Sequence, residues 1–399
     1  MARSLYGYAL LTDFVLLYPL YALLFADSGL SAGQISTLLI LWSVAVSLLE
    51  VPTGVLADTL PRRALLTAAP LFSAAGFALW TLVPAYPAFA AGFVLWAAGL
   101  ALVSGTLQAL VYDELAAIGA TGSYARLIGR SRALGTAGIA LSTALAAPVM
   151  AAGGYLAVGA GSVLAMLAAV PVALSFPRAR RTAGPEEDGE EAAPEAAGPW
   201  RRRYAAVLGT ALGEARRSAA VRTGLVAMAV LMGATALDEF LPLLAGSLTA
   251  DPAAVPLLLA PAALLAAAGE WLAGRGAGRA APVLAAAAVL LAAGALVGHP
   301  AGMVLVGAAF GAFEWASVAA ETRVQHAVAG PARATVLSVG GLGAEAVAVL
   351  AYAGYGLGSQ AAGPGVLFAL AAPVFLVIAP LLRSRTGPGG ARRDRYWRR

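Results

Sequence analysis

The chain has 399 residues, of which 60% are hydrophobic and only 12% charged, and its net charge is +5. A soluble domain has about 25% charged residues and could not cover so much apolar surface, so this composition excludes a soluble enzyme, a secreted disulfide scaffold and a disordered protein. The chain has no cysteine, which excludes disulfides and thiolate metal sites, and all 26 of its basic residues are arginine, which excludes a phosphate-binding lysine.

Long apolar runs follow one another along the chain, each close to the roughly 20 residues that a helix needs to cross a bilayer. The alternation of apolar and polar residues that is typical of membrane β-barrels is missing, so the runs predict helices. The first run is longer than a signal-peptide core, and we expect it to be retained. The twelve predicted spans are 5–26, 33–57, 64–84, 86–112, 130–151, 155–176, 221–247, 253–273, 280–298, 301–322, 334–358 and 363–382.

The connections between these runs divide into two classes by their arginine content. Every arginine lies on or just inside one face of the predicted bundle, and the positive-inside rule makes that face cytoplasmic, with both termini inside. The positive charge therefore indicates topology and not nucleic-acid binding. The connections without arginine are 27–32, 85, 152–154, 248–252, 299–300 and 359–362.

One long loop divides the twelve spans into six and six. Residues 185–195 are acidic and contain proline, which predicts a disordered stretch. The apolar residues from Trp200 to Leu212 recur at helical spacing between arginines, which predicts an amphipathic helix on the inner leaflet. We interpret the loop as a tether, with a regulatory role as the alternative. The predicted domains are a six-helix bundle over 1–176, a cytoplasmic linker over 177–220, a second six-helix bundle over 221–382 and a basic tail over 383–399.

The two halves contain related patterns at two places, which indicates an internal duplication. Leu56-Ala57, after the second span, corresponds to Leu272-Ala273, after the eighth. The fourth and tenth spans each end in an acid that an arginine follows about a dozen residues later. We interpret these residues as ion pairs at the inner face, namely Asp113 with Arg126 or Arg130 and Glu321 with Arg333.

The segment between the second and third spans carries a recognisable motif: Gly54-Val-Leu-Ala-Asp58-Thr-Leu-Pro-Arg62-Arg63. In that position it resembles the loop motif of the major facilitator superfamily. The resemblance covers essentially the whole chain and implies an all-α polytopic membrane protein, with twelve transmembrane helices in two pseudo-symmetric six-helix bundles. Residues 49–54 and 104–113 look like those of a drug-efflux-like, largely bacterial branch. The implied location is the bacterial cytoplasmic membrane.

The motif also implies a lock at the cytoplasmic face. Gly54 would allow two helices to approach closely. Asp58 would cap the third span or face the positive N-terminus of another helix. Arg62 and Arg63 would pair with acids at the ends of other spans, such as Asp113, or bind lipid phosphate. Simple anchoring of the topology is the alternative reading. The chain departs from the family pattern at Thr59 and Pro61. The fourth-span arginine of proton-coupled exporters is also missing, so only the resemblance supports antiport.

Six of the acids inside predicted spans are functional candidates, because a charge there costs several kcal/mol. No arginine is expected at comparable depth, so the carboxyl groups are protonated, face a wet cavity or meet a cation. The alternative for each acid is a hydrogen bond to a serine, threonine or tyrosine of a neighbouring helix. The candidates for a substrate or proton cavity are Asp13, Glu50, Asp238, Glu239, Glu314 and Glu345.

The helical wheel and the repeat predict how these acids are arranged. On a continuous first helix, Asp13 shares an arc with Tyr6 and Tyr21. Aligning Pro19 with Pro242 brings Asp13 within three residues of Asp238, so both halves could present acids to a shared central cavity. The candidate aromatic residues of that cavity, which could hold an organic cation by cation–π contact, are Tyr18, Tyr21, Trp42 and Trp315.

We therefore expect a secondary transporter that works by alternating access, with proton-coupled efflux of a hydrophobic or cationic small molecule. A proton-independent facilitator or nutrient importer is the alternative within the class, and an intramembrane enzyme is a remote one, since no nucleophile–base pair or metal cluster is evident. The expected partners are a small-molecule substrate, protons and the lipid bilayer. No cofactor, metal or nucleic acid is expected, and we expect a monomer.

Overall fold

The computed structural model describes residues 1–177, 209, 213, 216–273, 279–328 and 333–382. Within these ranges, the side chains at 50–52, 54, 55, 57–59, 220, 326 and 333–335 are outside the description. The predicted acidic stretch, the amphipathic stripe and the basic tail also lie outside the described residues. Every element in the described part is helical, and the all-α prediction is confirmed.

Seven helices form the N-terminal half. They are α1 Ala2–Asp13, α2 Tyr21–Asp27, α3 Ala32–Thr59, α4 Arg62–Leu82, α5 Tyr86–Val103, α6 Thr106–Ala117 and α7 Tyr124–Leu174. Within this half, α1 packs on α7, and α4 packs on α5 and α7. A cluster of buried aromatic side chains fills the space between α2, α4 and α5 and includes Phe25, Trp80, Phe89 and Phe93.

Seven further helices form the C-terminal half. They are α8 Ala219–Thr235, α9 Leu241–Gly246, α10 Val255–Leu272, α11 Ala280–Leu296, α12 Gly302–Ala327, α13 Arg333–Gly358 and α14 Pro364–Ile378. A 3₁₀ segment, Ala236–Phe240, connects α8 to α9. In this half, α12 packs on α8, α10 and α11, while α13 packs on α8.

The described helices account for twelve membrane passes. Within the described ranges, nine segments are long and apolar enough to cross a membrane. One of them, Thr121–Leu174, has 54 residues and would measure about 80 Å as one straight helix, far more than a bilayer core. It bends at Gly153 and at Gly154, whose φ of 60° favours glycine, and so forms two passes. The broken first span and the 17-residue helix Ala280–Leu296 supply the other two.

Two spans that were predicted as continuous helices are interrupted by residues that are not helical. The prediction of one helix over 5–26 is wrong, because α1 ends at Asp13 and residues 14–20 form turns before α2 begins. The prediction of one helix over 86–112 is also wrong, because the chain breaks at Ser104 and Gly105. Gly105 has a φ of 72°, a left-handed conformation that favours glycine, and Pro19 lacks the backbone donor that a helix would use.

The halves contact each other near the face whose connections carry no arginine, which we call the arginine-free face; the opposite face is the arginine-rich face. There α2 packs on α9, α3 packs on α13, and α7 packs on the turn Pro252–Ala254. The backbones of α3 and α13 come close together, since a Cβ added at Gly356 would lie 2.8 Å from the Ser36 side chain. The two halves are therefore packed closely against each other from the arginine-free face to the middle of the bundle.

Candidate transport site

Asp13 lies where the first span breaks, and its carboxylate is turned toward α7. The carboxylate lies against the Cα of Gly135, where an added Cβ would collide with an Asp13 oxygen. One helical turn further along α7, a Cβ at Gly138 would lie 2.7 Å from the carbonyl oxygen of Leu10. The two glycines thus form a notch in α7 that receives the end of α1 and its acid.

Asp13 also lines a cavity of about 200 Å³ inside the N-terminal half. All of the lining residues belong to α1, α4, α5, α6, α7 and the turn after α1. The cavity that Asp13 lines thus belongs to the N-terminal half, and the cavity shared by both halves stays a prediction. The helical-wheel argument that placed Asp13 on one arc with Tyr21 does not hold, because the helix ends between the two residues.

Arg132 lines the same cavity as Asp13, so one arginine shares a cavity with one of the predicted acids. Arg132 is eight residues beyond the start of α7, or about 12 Å along the helix from its arginine-rich end. Its side chain is exposed, whereas the neighbouring Ser131 is buried. Arg132 was predicted only as a residue of the cytoplasmic face, because counting residues from the end of a span does not show where a long side chain reaches.

Aromatic rings form a wall beside Asp13. The ring centroids of Tyr18 and Trp96 are 5.5 Å apart, and those of Trp42 and Trp96 are 5.4 Å apart with nearly parallel planes. Tyr18 and Trp42 were candidates from the sequence, whereas Trp96 was missed because nothing in its apolar surroundings distinguishes it. The buried indole nitrogen of Trp42 has no hydrogen-bond partner in the described part of the chain.

Two carboxylates of the C-terminal half accept hydrogen bonds from hydroxyl groups of the N-terminal half. Tyr21, at the start of α2, donates to Glu239 in the 3₁₀ segment. Ser43, in the middle of α3, donates to Glu345 in the middle of α13. The hydrogen bond to a neighbouring hydroxyl, which was the alternative reading for each acid, is thus present at both positions, and both bonds connect the halves.

The other predicted site residues take no part in these two bonds, although Asp238 is the chain neighbour of Glu239. Asp238 is exposed, and Glu314 is half-buried in α12. Trp315 is 8% exposed within the hydrophobic core. The side chain of Glu50, which lies in α3, is outside the described residues.

At the arginine-rich face, Arg62 forms an ion pair with Asp113. Asp113 was expected to pair with Arg62, Arg63, Arg126 or Arg130, and among the described residues Arg62 is its partner. Glu321 accepts a hydrogen bond from Gln325 at 3.0 Å. The side chains of Gly54, Asp58 and Arg333 lie outside the described residues.

Comparisons with known proteins match this architecture. A family model described as Major Facilitator Superfamily matches residues 6–344. Crystal structures of the nucleoside transporter NupG (TM-score 0.72, 13% identity, 96% of this chain and 98% of that chain) and of an auto-inhibited POT family peptide transporter (0.69, 14%, 96% and 95%) are similar. A bacterial homologue of the human lysosomal transporter Spinster, in an inward-facing and unoccupied conformation, is similar as well (0.63, 17%, 96% and 93%). At these identities the likeness concerns the fold alone. A search of curated proteins gives no significant match.

Proposed function

Because the chain belongs to the major facilitator superfamily, whose members transport small molecules across membranes, we propose that it exports a hydrophobic or cationic compound in exchange for protons. In this proposal the two bundles, residues 1–176 and 221–382, rock against each other around a site between them. The arginine-rich face is cytoplasmic, and the protein acts as a monomer in the bacterial cytoplasmic membrane. The branch of drug-efflux-like members is part of the proposal.

The observation that carries the proton coupling is the pair of hydroxyl-to-carboxylate hydrogen bonds between the halves. A carboxylate is a strong, charge-assisted acceptor, whereas a protonated carboxyl group has lost that charge. Protonation of Glu239 and Glu345 would therefore weaken the bonds from Tyr21 and Ser43. Protons that arrive from the arginine-free face would then favour separation of the halves on that side.

The surroundings of the two acids contain few other titratable groups. Asp238, Tyr18 and Tyr352 lie close enough to Glu239 to interact with it electrostatically, and Tyr352 also lies near Glu345. None of these groups is basic. Among the interactions described, no arginine side chain pairs with either carboxylate and so competes with a proton for it. For the substrate, the ring of Trp42, which does not line the cavity at Asp13, offers cation–π and stacking contacts.

A label experiment tests the coupling without knowledge of the substrate. Because the chain has no cysteine, a spin-label pair on Val83→Cys and Gln360→Cys, both exposed near the arginine-free face, reports the separation of the halves there. Acidification from about pH 8 to about pH 4, just below the ordinary pKa of a glutamate carboxyl group, should shift the distances upward by protonating carboxylates. A Glu239→Gln/Glu345→Gln variant should show the long distances at both pH values.

The control is Glu321→Gln, which makes the same chemical change at an acid that bonds within its own helix, and which should behave as the native protein. Identical distances at both pH values in the native protein would contradict the coupling. A resistance screen in an efflux-deficient host would identify cargo. Accumulation of that cargo in acid-loaded vesicles would support exchange for protons, whereas pH-insensitive flux would favour the facilitator or importer.

A further inference from the structure

The cavity inside the N-terminal half is separate from the contact between the halves. Its lining comes from spans one, three, four, five and six of this half, and none of it comes from the C-terminal half. It also includes α4, which packs between α5 and α7. A ligand in this cavity would be enclosed by one bundle and would not bridge the two.

The cavity carries one charge of each sign. Asp13 lies at the end of α1, where α7 holds it in the glycine notch, and Arg132 lies nearer the arginine-rich face. No ion pair joins these two side chains in the part of the chain that the structure describes, where Arg62 with Asp113 is the pair observed. Both charges are therefore available to a ligand.

From this arrangement we propose that the cavity binds a small zwitterion, with its ammonium group at Asp13 and its carboxylate group at Arg132. A cation alone would pair with Asp13 but not with Arg132, and an anion alone would pair with Arg132 but not with Asp13. A zwitterion satisfies both charges and keeps the site neutral.

The size and the walls of the cavity limit the ligand further. Its volume of about 200 Å³ is below the ~300–1,000 Å³ of pockets for drug-sized ligands. Leu100, Met166 and Trp96 supply apolar and aromatic surface, and Ser73 supplies a hydroxyl group. This combination suits an α-amino acid with a small or apolar side chain.

Three matched probes test the charge requirement with the full-length protein in nanodiscs. Leucine carries both groups, 3-methylbutylamine is the same skeleton without the carboxylate, and 4-methylpentanoate is the same skeleton without the ammonium group. Calorimetry with the native protein should show binding of leucine and of neither single-charge probe. Alanine and phenylalanine extend the series in side-chain size.

Two variants should exchange the preference of the site. Asp13→Asn should weaken leucine binding by about tenfold or more and admit 4-methylpentanoate, while Arg132→Gln should do the same and admit 3-methylbutylamine. Arg126→Gln is the control, because Arg126 is exposed on the same helix and does not line the cavity. Its binding of leucine should equal that of the native protein.

A third variant, Leu107→Trp, fills the cavity from α6, leaves both charges in place and should abolish binding if the charge variants fold poorly. The proposal is overturned if none of the three amino acids binds, or if leucine binds equally to the native, Asp13→Asn and Arg132→Gln proteins. Equal binding to the native and Leu107→Trp proteins would also overturn it. These measurements need no transport, so failure of the proton coupling proposed above would leave them unaffected.

Discussion

The first spans of the two halves are both interrupted at acidic residues, but they direct their carboxylates to different partners. In the N-terminal half, α1 ends at Asp13, and the carboxylate lies against Gly135 of the same half. In the C-terminal half, the 3₁₀ segment Ala236–Phe240 follows α8, and its Glu239 accepts a hydrogen bond from Tyr21 of the other half. The alignment of Pro19 with Pro242 places the two interruptions at corresponding positions.

Both halves of the repeat thus keep an interrupted first span with an acid, but the acid has a different role in each half. A carboxylate enclosed by its own bundle moves with that bundle, so it suits binding. A carboxylate that connects the bundles loses or gains its partner when they separate, so it suits coupling. The following variants test this division from the largest expected effect to the smallest.

The largest effect is expected for the Gly135→Ala/Gly138→Ala double variant, which fills the notch that receives α1. One added Cβ runs into the Asp13 carboxylate, and the other lies 2.7 Å from the Leu10 carbonyl oxygen. Each overpacking change should lower the free energy of unfolding by about 1–3 kcal/mol. Thermal unfolding in detergent micelles should show a clearly lower midpoint.

Gly129→Ala is the matched control on the same helix, because a Cβ there meets nothing within 4 Å. Alanine favours a helix over glycine by about 1 kcal/mol, so this midpoint should stay level or rise. Native stability in the double variant would mean that Asp13 is not seated in the notch. The claim that the acid of the N-terminal first span is enclosed by its own bundle would then be wrong.

A smaller effect is expected for Tyr21→Phe, which removes the donor to Glu239. A hydrogen bond to a charged group contributes about 1.5–3 kcal/mol, and here its loss should shift the label pair at Val83 and Gln360 toward longer distances. Tyr18→Phe is the control, since Tyr18 contacts Trp96 through its ring. Equal shifts in both variants would show that the hydroxyl of Tyr21 does not hold the halves together.

Much of the fold could be predicted from the sequence, because span length and apolar composition follow directly from bilayer thickness. The interruptions within spans could not, because residues 14–20 and 104–105 lie inside continuous apolar runs. Only the local backbone decides there between a helix and a turn. Gly153 and Gly154, which bend α7, were predicted to lie in a connection between two spans. They do connect two passes, but within one long helical segment.

The site was predictable as a set of residue types but not as an arrangement. Intramembrane acids stand out by their cost in a membrane, so Asp13, Glu239 and Glu345 were found. Their partners depend on how each span turns after its interruption, which residue spacing does not encode. Arg132 and Trp96 were missed because residue spacing does not show where a side chain reaches. Arg132 looked like a residue of the cytoplasmic face, and Trp96 was one apolar residue among many.

A weaker effect on opening is expected for Ser43→Ala, which removes the donor to Glu345. The bond is of the same kind as that of Tyr21 and contributes about 1.5–3 kcal/mol, but its loss should open the halves less because α3 and α13 still pack through Gly33 and Gly356. Ser36→Ala is the control on the same helix, because the hydroxyl of Ser36 donates to its own helix at Ala32. A longer distance between the labels in Ser36→Ala than in Ser43→Ala would contradict the role of Glu345.

The smallest effect is expected for Arg62→Gln, which breaks an ion pair between α4 and α6 of the same half. The side chains of Arg62 and Asp113 are 27% and 60% exposed, so solvent screens the pair and its contribution should be about 0.2–1 kcal/mol. The drop in thermal midpoint should disappear at high salt, whereas the shift in Tyr21→Phe should persist because its bond is partly buried. Since this pair lies within one half at the arginine-rich face, the label distances at the arginine-free face should not change. A change there would mean that the two faces are coupled through the N-terminal bundle. It would contradict the division of roles in which some acids bind a ligand and others couple the two halves.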